Sequence, residues 1–238
     1  MTRLGMLTPS SNTVLEPMTY AMLADGHGAV SAHFSRFKVM EIALSDTALG
    51  QFTDAPILAA AELLAHAKCD VIAWNGTSAS WLGFDRDEAL VEKIEAATEI
   101  CAATCVLGYR DRFRTLSAHR IALVTPYTSD VQAKIAMNWE RSGFSCVSER
   151  HCGMADNFSF ATVDEPTIER MIREAAAPGC DAVAIVCTNM RGARVAARLE
   201  RELGIPILDS VAVTLWAALK AAGAPTTPYA AWGRLFSV

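Results

Sequence analysis

One thiol and a set of hydroxyls and amides are the residues of this chain best placed to do chemistry. Cys187 ends the apolar run Asp181–Cys187 and is followed at once by Thr188 and Asn189. A cysteine at a strand end, near a helix N-terminus, can have a lowered thiol pKa and act as nucleophile or proton donor. The same position also suits a buried structural cysteine, and the local residues leave both readings open. Three other short segments share the polar character: Thr8-Pro9-Ser10-Ser11-Asn12, Asn75-Gly76-Thr77-Ser78 and Thr125-Pro126-Tyr127-Thr128. Backbone N–H groups at helix starts, together with Thr and Ser hydroxyls, suit a carboxylate oxygen. No Walker pattern, GxGxxG or HExxH occurs, and the five histidines are dispersed, so neither a nucleotide nor a metal is indicated and no cofactor is expected. Cys101 and Cys105 are close in sequence but lack the second pair a zinc site needs.

These segments must be held by an α/β scaffold. Strand-like runs cover Arg3–Thr8, Ala29–Phe37, Asp70–Asn75, Arg120–Thr125, Phe144–Arg150, Asp181–Cys187 and Ile205–Asp209. Amphipathic, helix-like runs cover Asn12–Ala24, Ala55–Lys68, Arg86–Ala103, Ser129–Ser142, Glu165–Ala177, Arg191–Leu203 and Val211–Ala222. That alternation predicts parallel sheets. A weak internal repeat organises it. LGMLTP at residues 4–9 returns as IALVTP at 121–126, and CDVIAWNGT at 69–77 returns as CDAVAIVCT at 180–188. The chain therefore reads as two duplicated halves, 1–113 and 114–210, with the segment 211–238 packing back on the first. Halves related by a pseudo-twofold axis bring the four polar loops to one cleft, outside the carboxyl ends of the strands. Within the repeat, Gly76 stands where Cys187 stands.

The 238 residues carry a net charge of −5 and are 52% hydrophobic, which fits a soluble globular protein and excludes an electrostatic nucleic-acid surface. No apolar run of about 18 residues suits a membrane span, and the N-terminus does not read as a signal peptide. The expected compartment is the cytoplasm. Seven cysteines, odd in number and scattered, read as free thiols, six of them small buried hydrophobes.

The run LTPSSNTVLEP at Leu7–Pro17, the loop NGTSAS at Asn75–Ser80, VTPYTSDV at Val124–Val131, the pair Asp156-Asn157, VCTNMR at Val186–Arg191 and the tail GRLF at Gly233–Phe236 resemble the maleate isomerase and arylmalonate decarboxylase family, within the cofactor-independent aspartate/glutamate racemase superfamily. The resemblance covers nearly the whole chain. It implies two Rossmann-like halves with the active site in the cleft between them. It also implies a substrate site made of Pro9, Asn12, Gly76, Thr77, Ser78, Tyr127, Asn157, Cys187, Thr188 and Asn189.

The superfamily commonly sets two cysteines across the substrate, and here the first is replaced by Gly76. Maleate isomerases use that first cysteine as nucleophile, whereas arylmalonate decarboxylases have glycine there and protonate an enediolate with the lone second-half cysteine. Asn12, Asn157 and the run Cys187-Thr188-Asn189 resemble the carboxylate contacts of the isomerases instead. Racemisation on both faces calls for an acid–base group on each, which Gly76 cannot supply. The expectation is a single-cysteine lyase, a decarboxylase of a small malonate-type dicarboxylate, with the enediolate held by Thr77, Ser78 and Tyr127 and protonated by Cys187. The alternatives are a maleate isomerase-like enzyme using Cys187 alone and a non-catalytic carboxylate-binding protein of a catabolic operon. The expected partners are the dicarboxylate and a second copy in a homodimer. Asn12 reads either as carboxylate ligand or as helix N-cap, and Tyr127 as site residue or packed loop residue. Trp74, Trp81, Phe84 and Phe158 read as pocket wall or core. Arg191 and Arg194 read as contacts to a second carboxylate or as solvated; His33 and His151 have no assigned role.

Overall fold

The computed structural model describes residues 1–177 and 179–237; residue 178 and the last residue of segment 211–238 lie outside the described residues. The first half runs β1 (Thr2–Pro9), α1 (Leu15–Leu23), β2 (Val30–Phe37), α2 (Asp46–Leu49), α3 (Asp54–His66), β3 (Val71–Trp74), α4 (Ala79–Leu82), α5 (Phe84–Thr98), β4 (Ala102–Thr104) and α6 (Cys105–Leu116). The second runs β5 (Arg120–Thr125), α7 (Ser129–Arg141), β6 (Ser145–His151), α8 (Glu165–Ala176), β7 (Ala182–Ile185), α9 (Ala193–Leu203), β8 (Ile207–Asp209) and α10 (Ser210–Ala221). The strands form two four-stranded sheets, ordered β2-β1-β3-β4 and β6-β5-β7-β8. Every pairing within them is parallel. The central strands are nearly continuous apolar runs because helices cover both faces; Leu4, Met6 and Leu7 in β1 and Ile121, Leu123 and Val124 in β5 are fully buried.

The repeat in the sequence has a physical cause. Asp70 precedes β3, and its carboxylate accepts from the Arg3 N–H at 2.7 Å. Asp181 precedes β7 and accepts from the Arg120 N–H at 2.8 Å. Each aspartate thus fixes the register between the two central strands of its sheet. At the other end the Asn75 N–H donates to Leu7 O at 3.1 Å, and the Val186 N–H donates to Val124 O at 2.9 Å. Both polar loops therefore leave their sheets from equivalent positions.

Several elements differ from the sequence reading. The helix read over Arg86–Ala103 ends at Thr98, because Glu99 takes a left-handed conformation with φ 58°, and Ala102–Thr104 becomes an edge strand. Helix α6 follows; its start is marked only by Thr104, whose hydroxyl accepts from the Leu107 N–H. The first helix starts at Leu15 rather than Asn12. Of the six cysteines expected to be buried hydrophobes, only Cys69 and Cys105 are buried; Cys101 is exposed and Cys146, Cys152 and Cys180 are half-buried. They sit at strand and helix ends, where apolar neighbours in sequence do not mean burial in space.

Helix α10 lies against α6, β4 and β3, while the tail reaches further. The turn Thr227–Trp232 packs on α9 and on the turn Ala24–Gly26, and Trp232 Nε1 donates to Asp25 at 2.8 Å. Among the described residues no helix is long and apolar enough to cross a membrane.

Two buried carboxyls make the fold pH-sensitive. Burial pushes Asp87, in the first turn of α5, up to about 7, only partly offset by the Thr104 hydroxyl and by Arg110 and Arg86. Burial also raises Asp209 to about 7 against the N–H groups it caps. An unfolded carboxyl ionises near pH 4, so both groups favour the folded state below that pH, and the benefit is lost as pH rises towards 7. Urea midpoints should therefore fall between pH 5 and 8. Asp87→Asn should remove about half of that fall, of order 3 kcal/mol for a shift of this size; an undiminished slope would refute the assignment.

Candidate active site

The loops that follow β1, β3, β5 and β7, the two central strands of each sheet, meet in one pocket. Its wall includes Pro9, Gly76, Thr77, Ser78, Tyr127, Asn157, Cys187 and Thr188. Val39, Ile42, Phe52, Trp74 and Trp81 complete it with apolar side chains. The enclosed space is small, about 20 Å³ for the centre of a water-sized sphere, which is room for about one water. A molecule larger than water fits here only if part of the wall moves.

The polar side is tied together across the two halves. Thr77 Oγ1 and the Tyr127 hydroxyl lie 2.7 Å apart, joining the β3 loop to the β5 loop. The Tyr127 ring is wedged edge-on between Trp81 and Phe160, with centroids 5.4 Å from each, so its hydroxyl has a set direction. The Thr188 hydroxyl donates to Asn75 O at 3.1 Å and accepts from Asn12 Nδ2 at 3.0 Å. Ser78 stands just before the short α4, at its N-cap position, but its hydroxyl does not cap that helix.

Asn12 and Asn189 are not in the pocket wall. The Asn12 side-chain oxygen accepts from the Val14 and Leu15 N–H groups at 3.0 and 2.9 Å, capping α1, while its amide holds Thr188. Asn189 Oδ1 accepts from the Thr13 and Val14 N–H groups, and its Nδ2 donates to Asn157 O at 2.6 Å. Both amides clamp the β1 loop to the β7 loop and shape the site from behind. Asn157, whose Nδ2 donates to Ser11 Oγ at 2.7 Å, does reach the wall.

Cys187 is 2% exposed. Its sulfur accepts from the Asn189 N–H at 3.4 Å and faces the Tyr127 hydroxyl. The lowered pKa that a strand-end cysteine can have is not found here: burial raises the thiol to about 12, against hydrogen bonds from Asn189, Tyr127 and Met190 that pull the other way. The reason is local, since α9 begins only at Ala193 and the field of a helix end fades within a turn. Tyr127 is likewise pushed up by burial and by the neighbouring thiol, so its phenol stays neutral. The consequence is chemical: Cys187 should react with iodoacetamide at pH 8 at least a hundredfold more slowly than exposed Cys101. Peptide mapping by mass spectrometry reads this directly, and equal labelling of the two would show an ionised Cys187.

On the first-half wall, a side chain at residue 76 has nowhere to go. A Cβ built on Gly76 would lie 1.8 Å from Trp74 Cζ2 and 2.1 Å from its Cε2. The indole itself occupies the place.

Three wall residues carry no signal in the sequence. Val39, Ile42 and Phe52 come from the segment between β2 and α3, which crosses to the second half. There the Ile42 N–H donates to Ala155 O at 2.8 Å, and the Asn157 N–H donates to Met40 O at 2.9 Å. Arg36 was also missed: its guanidinium donates to Ser10 O and Asn12 O at 2.8 and 3.0 Å and pairs with Glu16, fixing the β1 loop. Of the four aromatics read as wall or core, Trp74 and Trp81 reach the pocket. Phe84 packs in the core against Trp139 and Phe144, and Phe158 is exposed. Arg194 lies over the Trp232 ring at 4.8 Å, and neither it nor Arg191 lines the pocket. Among the described residues no group of three or more His, Cys, Asp and Glu side chains is arranged to hold a metal.

Comparison with known proteins agrees with this architecture. The chain is similar to a maleate isomerase of Geobacillus stearothermophilus, 26% identical over 233 residues that cover 92% of this chain and 90% of the relative. It is also similar to an arylmalonate decarboxylase of Bordetella bronchiseptica, 28% identical over 169 residues, 70% of either chain. Among solved structures, the maleate cis-trans isomerase of Nocardia farcinica bound to TRIS has the same fold. It matches with a TM-score of 0.90 at 24% identity, over 99% of this chain and 98% of that one. The family model described as arylmalonate decarboxylase matches residues 17–236, almost the full length, and the chain belongs to that family.

Proposed function

We propose that this protein is a cofactor-independent, single-cysteine decarboxylase of a small malonate-type dicarboxylate. The observation that carries the reading is the pocket's single acid–base wall. One thiol, Cys187, is held protonated on the second-half side, and the ring of Trp74 fills the space beside Gly76 where a second group would have to stand.

One carboxylate of the substrate accepts hydrogen bonds from the Thr77, Ser78 and Tyr127 hydroxyls. The other lies against the apolar wall of Val39, Ile42 and Phe52, poorly solvated, and losing it as CO2 relieves that cost. The C–C electron pair passes into the bound carboxylate, giving an enediolate that the three hydroxyls stabilise. The Cys187 S–H proton then goes to the α-carbon. The thiolate left behind, in a site that raises its pKa to about 12, regains a proton from solvent. The sum is malonate plus one proton giving monoacid plus CO2. A thiol of that pKa suits this role better than attack on a double bond, which requires the thiolate.

A second reading, isomerisation of a cis dicarboxylate by Cys187 alone, is favoured by the polar amide of Asn157 in the wall and by the maleate isomerase relatives. Proton NMR in D2O with maleate and with substituted malonates separates the two. α-Deuterated monoacid is the expected product. Fumarate from maleate would replace the first reading by the second. Thermal stabilisation by dicarboxylates without any turnover would identify a binding protein instead.

A further inference from the structure

The Trp74 indole does more than fill the space beside Gly76. It is fully buried at the end of β3, stacked on Phe37 with ring centroids 5.0 Å apart at 40°. It also lines a second small cavity, together with Ile57, Leu82 and Leu90 and the charged residues Asp54, Arg86 and Asp87. That cavity again leaves about 20 Å³ for the centre of a water-sized sphere. Phe52, Trp74 and Ser78 line both spaces, so they are the partition between them. The three differ in how firmly they are held. Phe52 belongs to the segment that crosses between the halves, outside either sheet, whereas Trp74 is part of a central strand paired with β1 and β4. Displacing the crossing segment lets a ligand in without moving the tryptophan, because a strand packed on both faces does not shift to make room.

We propose that Trp74 is the specificity-determining residue of this site, restricting it to malonates with a small α-substituent and excluding aryl-substituted ones. The inference rests on the decarboxylase reading for its substrate class, while its size limit rests on the Trp74 partition alone. Discrimination by one wall residue of this size is well within what steric exclusion achieves.

The test compares vinylmalonate with phenylmalonate. Both place an sp² carbon on the α-carbon, so they differ chiefly in bulk. The native enzyme should show kcat/KM for vinylmalonate at least a hundredfold above that for phenylmalonate. Trp74→Ala, which joins the two cavities, should move that ratio at least a hundredfold towards phenylmalonate. A native enzyme that uses both equally, or a folded variant whose ratio stays within threefold, overturns the proposal. Should Trp74→Ala fail to fold, Trp74→Leu retains most of the apolar packing and must still move the ratio at least tenfold; an unmoved ratio overturns it equally. If neither malonate loses CO2 with any of these proteins, the decarboxylase reading fails by itself. The size limit is then read from thermal stabilisation by methylsuccinate and phenylsuccinate. Stabilisation of the native protein by methylsuccinate alone, and of the variant by both, supports the Trp74 partition; equal stabilisation of the native protein by both overturns it.

Discussion

Cys187→Ala is expected to lower malonate turnover at least a thousandfold while leaving the fold in place. The loss follows from the pocket's contents: with the thiol gone, the enediolate has no proton donor on the second-half wall. Removing a positioned acid typically costs a hundredfold to ten-thousandfold, and the upper part of that range is expected because the wall holds no second thiol. The fold should survive because the loop does not hang on the sulfur. Thr188 is held by Asn75 and Asn12, and Asn189 by Thr13, Val14 and Asn157, whereas the sulfur only accepts hydrogen bonds, from the Asn189 and Met190 N–H groups and the Tyr127 hydroxyl, and none of these joins the β7 loop to the β1 loop. The expected stability change is about 1 kcal/mol, within the usual range for a point substitution. Single-turnover NMR in D2O measures the first effect and thermal unfolding the second. A variant that keeps a tenth of the native rate would show that another group delivers the proton. Dicarboxylate affinity should stay within about threefold, since the hydroxyls of Thr77, Ser78 and Tyr127 are untouched.

The parts of this site that could be read in the sequence are those repeated in it. Asp70 and Asp181 perform the same register-fixing task in each sheet, so their neighbourhoods look alike. That likeness located the loops carrying Gly76, Thr77, Ser78, Cys187 and Thr188. Residues that act through long-range contacts left no such mark. Val39, Ile42 and Phe52 sit in an aperiodic segment whose role depends on bonds to Ala155 and Asn157, more than a hundred residues away. The edge strand Ala102–Thr104 is made of small residues that continue the helical pattern before it, and only the left-handed turn at Glu99 separates them. The protonation state of Cys187 was equally hidden. Sequence shows a polar loop leading into a helix, but burial, which sequence cannot measure at one atom, outweighs the loop's hydrogen bonds. For Asn12 and Asn189 the residue types were informative and their targets were not: amides fit to bind a carboxylate are also fit to clamp two loops.

Gly76→Cys is expected to destabilise the protein sharply and to give no second acid–base group while Trp74 is present. The new Cβ would enter the indole ring at 1.8 Å, and the ring is packed against Phe37 with no free volume behind it beyond the space of about one water. Overpacking a core by this much costs about 3 kcal/mol or more. The double variant Trp74→Leu/Gly76→Cys should recover most of the loss, because leucine vacates the volume that the sulfur needs. The two changes should therefore be strongly non-additive, with a coupling energy of about 1.5 kcal/mol or above, as expected for side chains competing for one space. Urea unfolding of the native protein, both single variants and the double variant gives this number. Additive effects would mean that the indole moves aside freely, and that Gly76 is not kept small by Trp74. The same four proteins test the chemistry. If a thiol on each face is what racemisation requires, exchange of the α-proton of an enantiopure monoacid in D2O, with loss of optical purity, should appear in the double variant alone. Its appearance in Gly76→Cys by itself would show that Trp74 does not close the first face. Its absence from a stable double variant would show that position 76 cannot aim a thiol at the α-carbon.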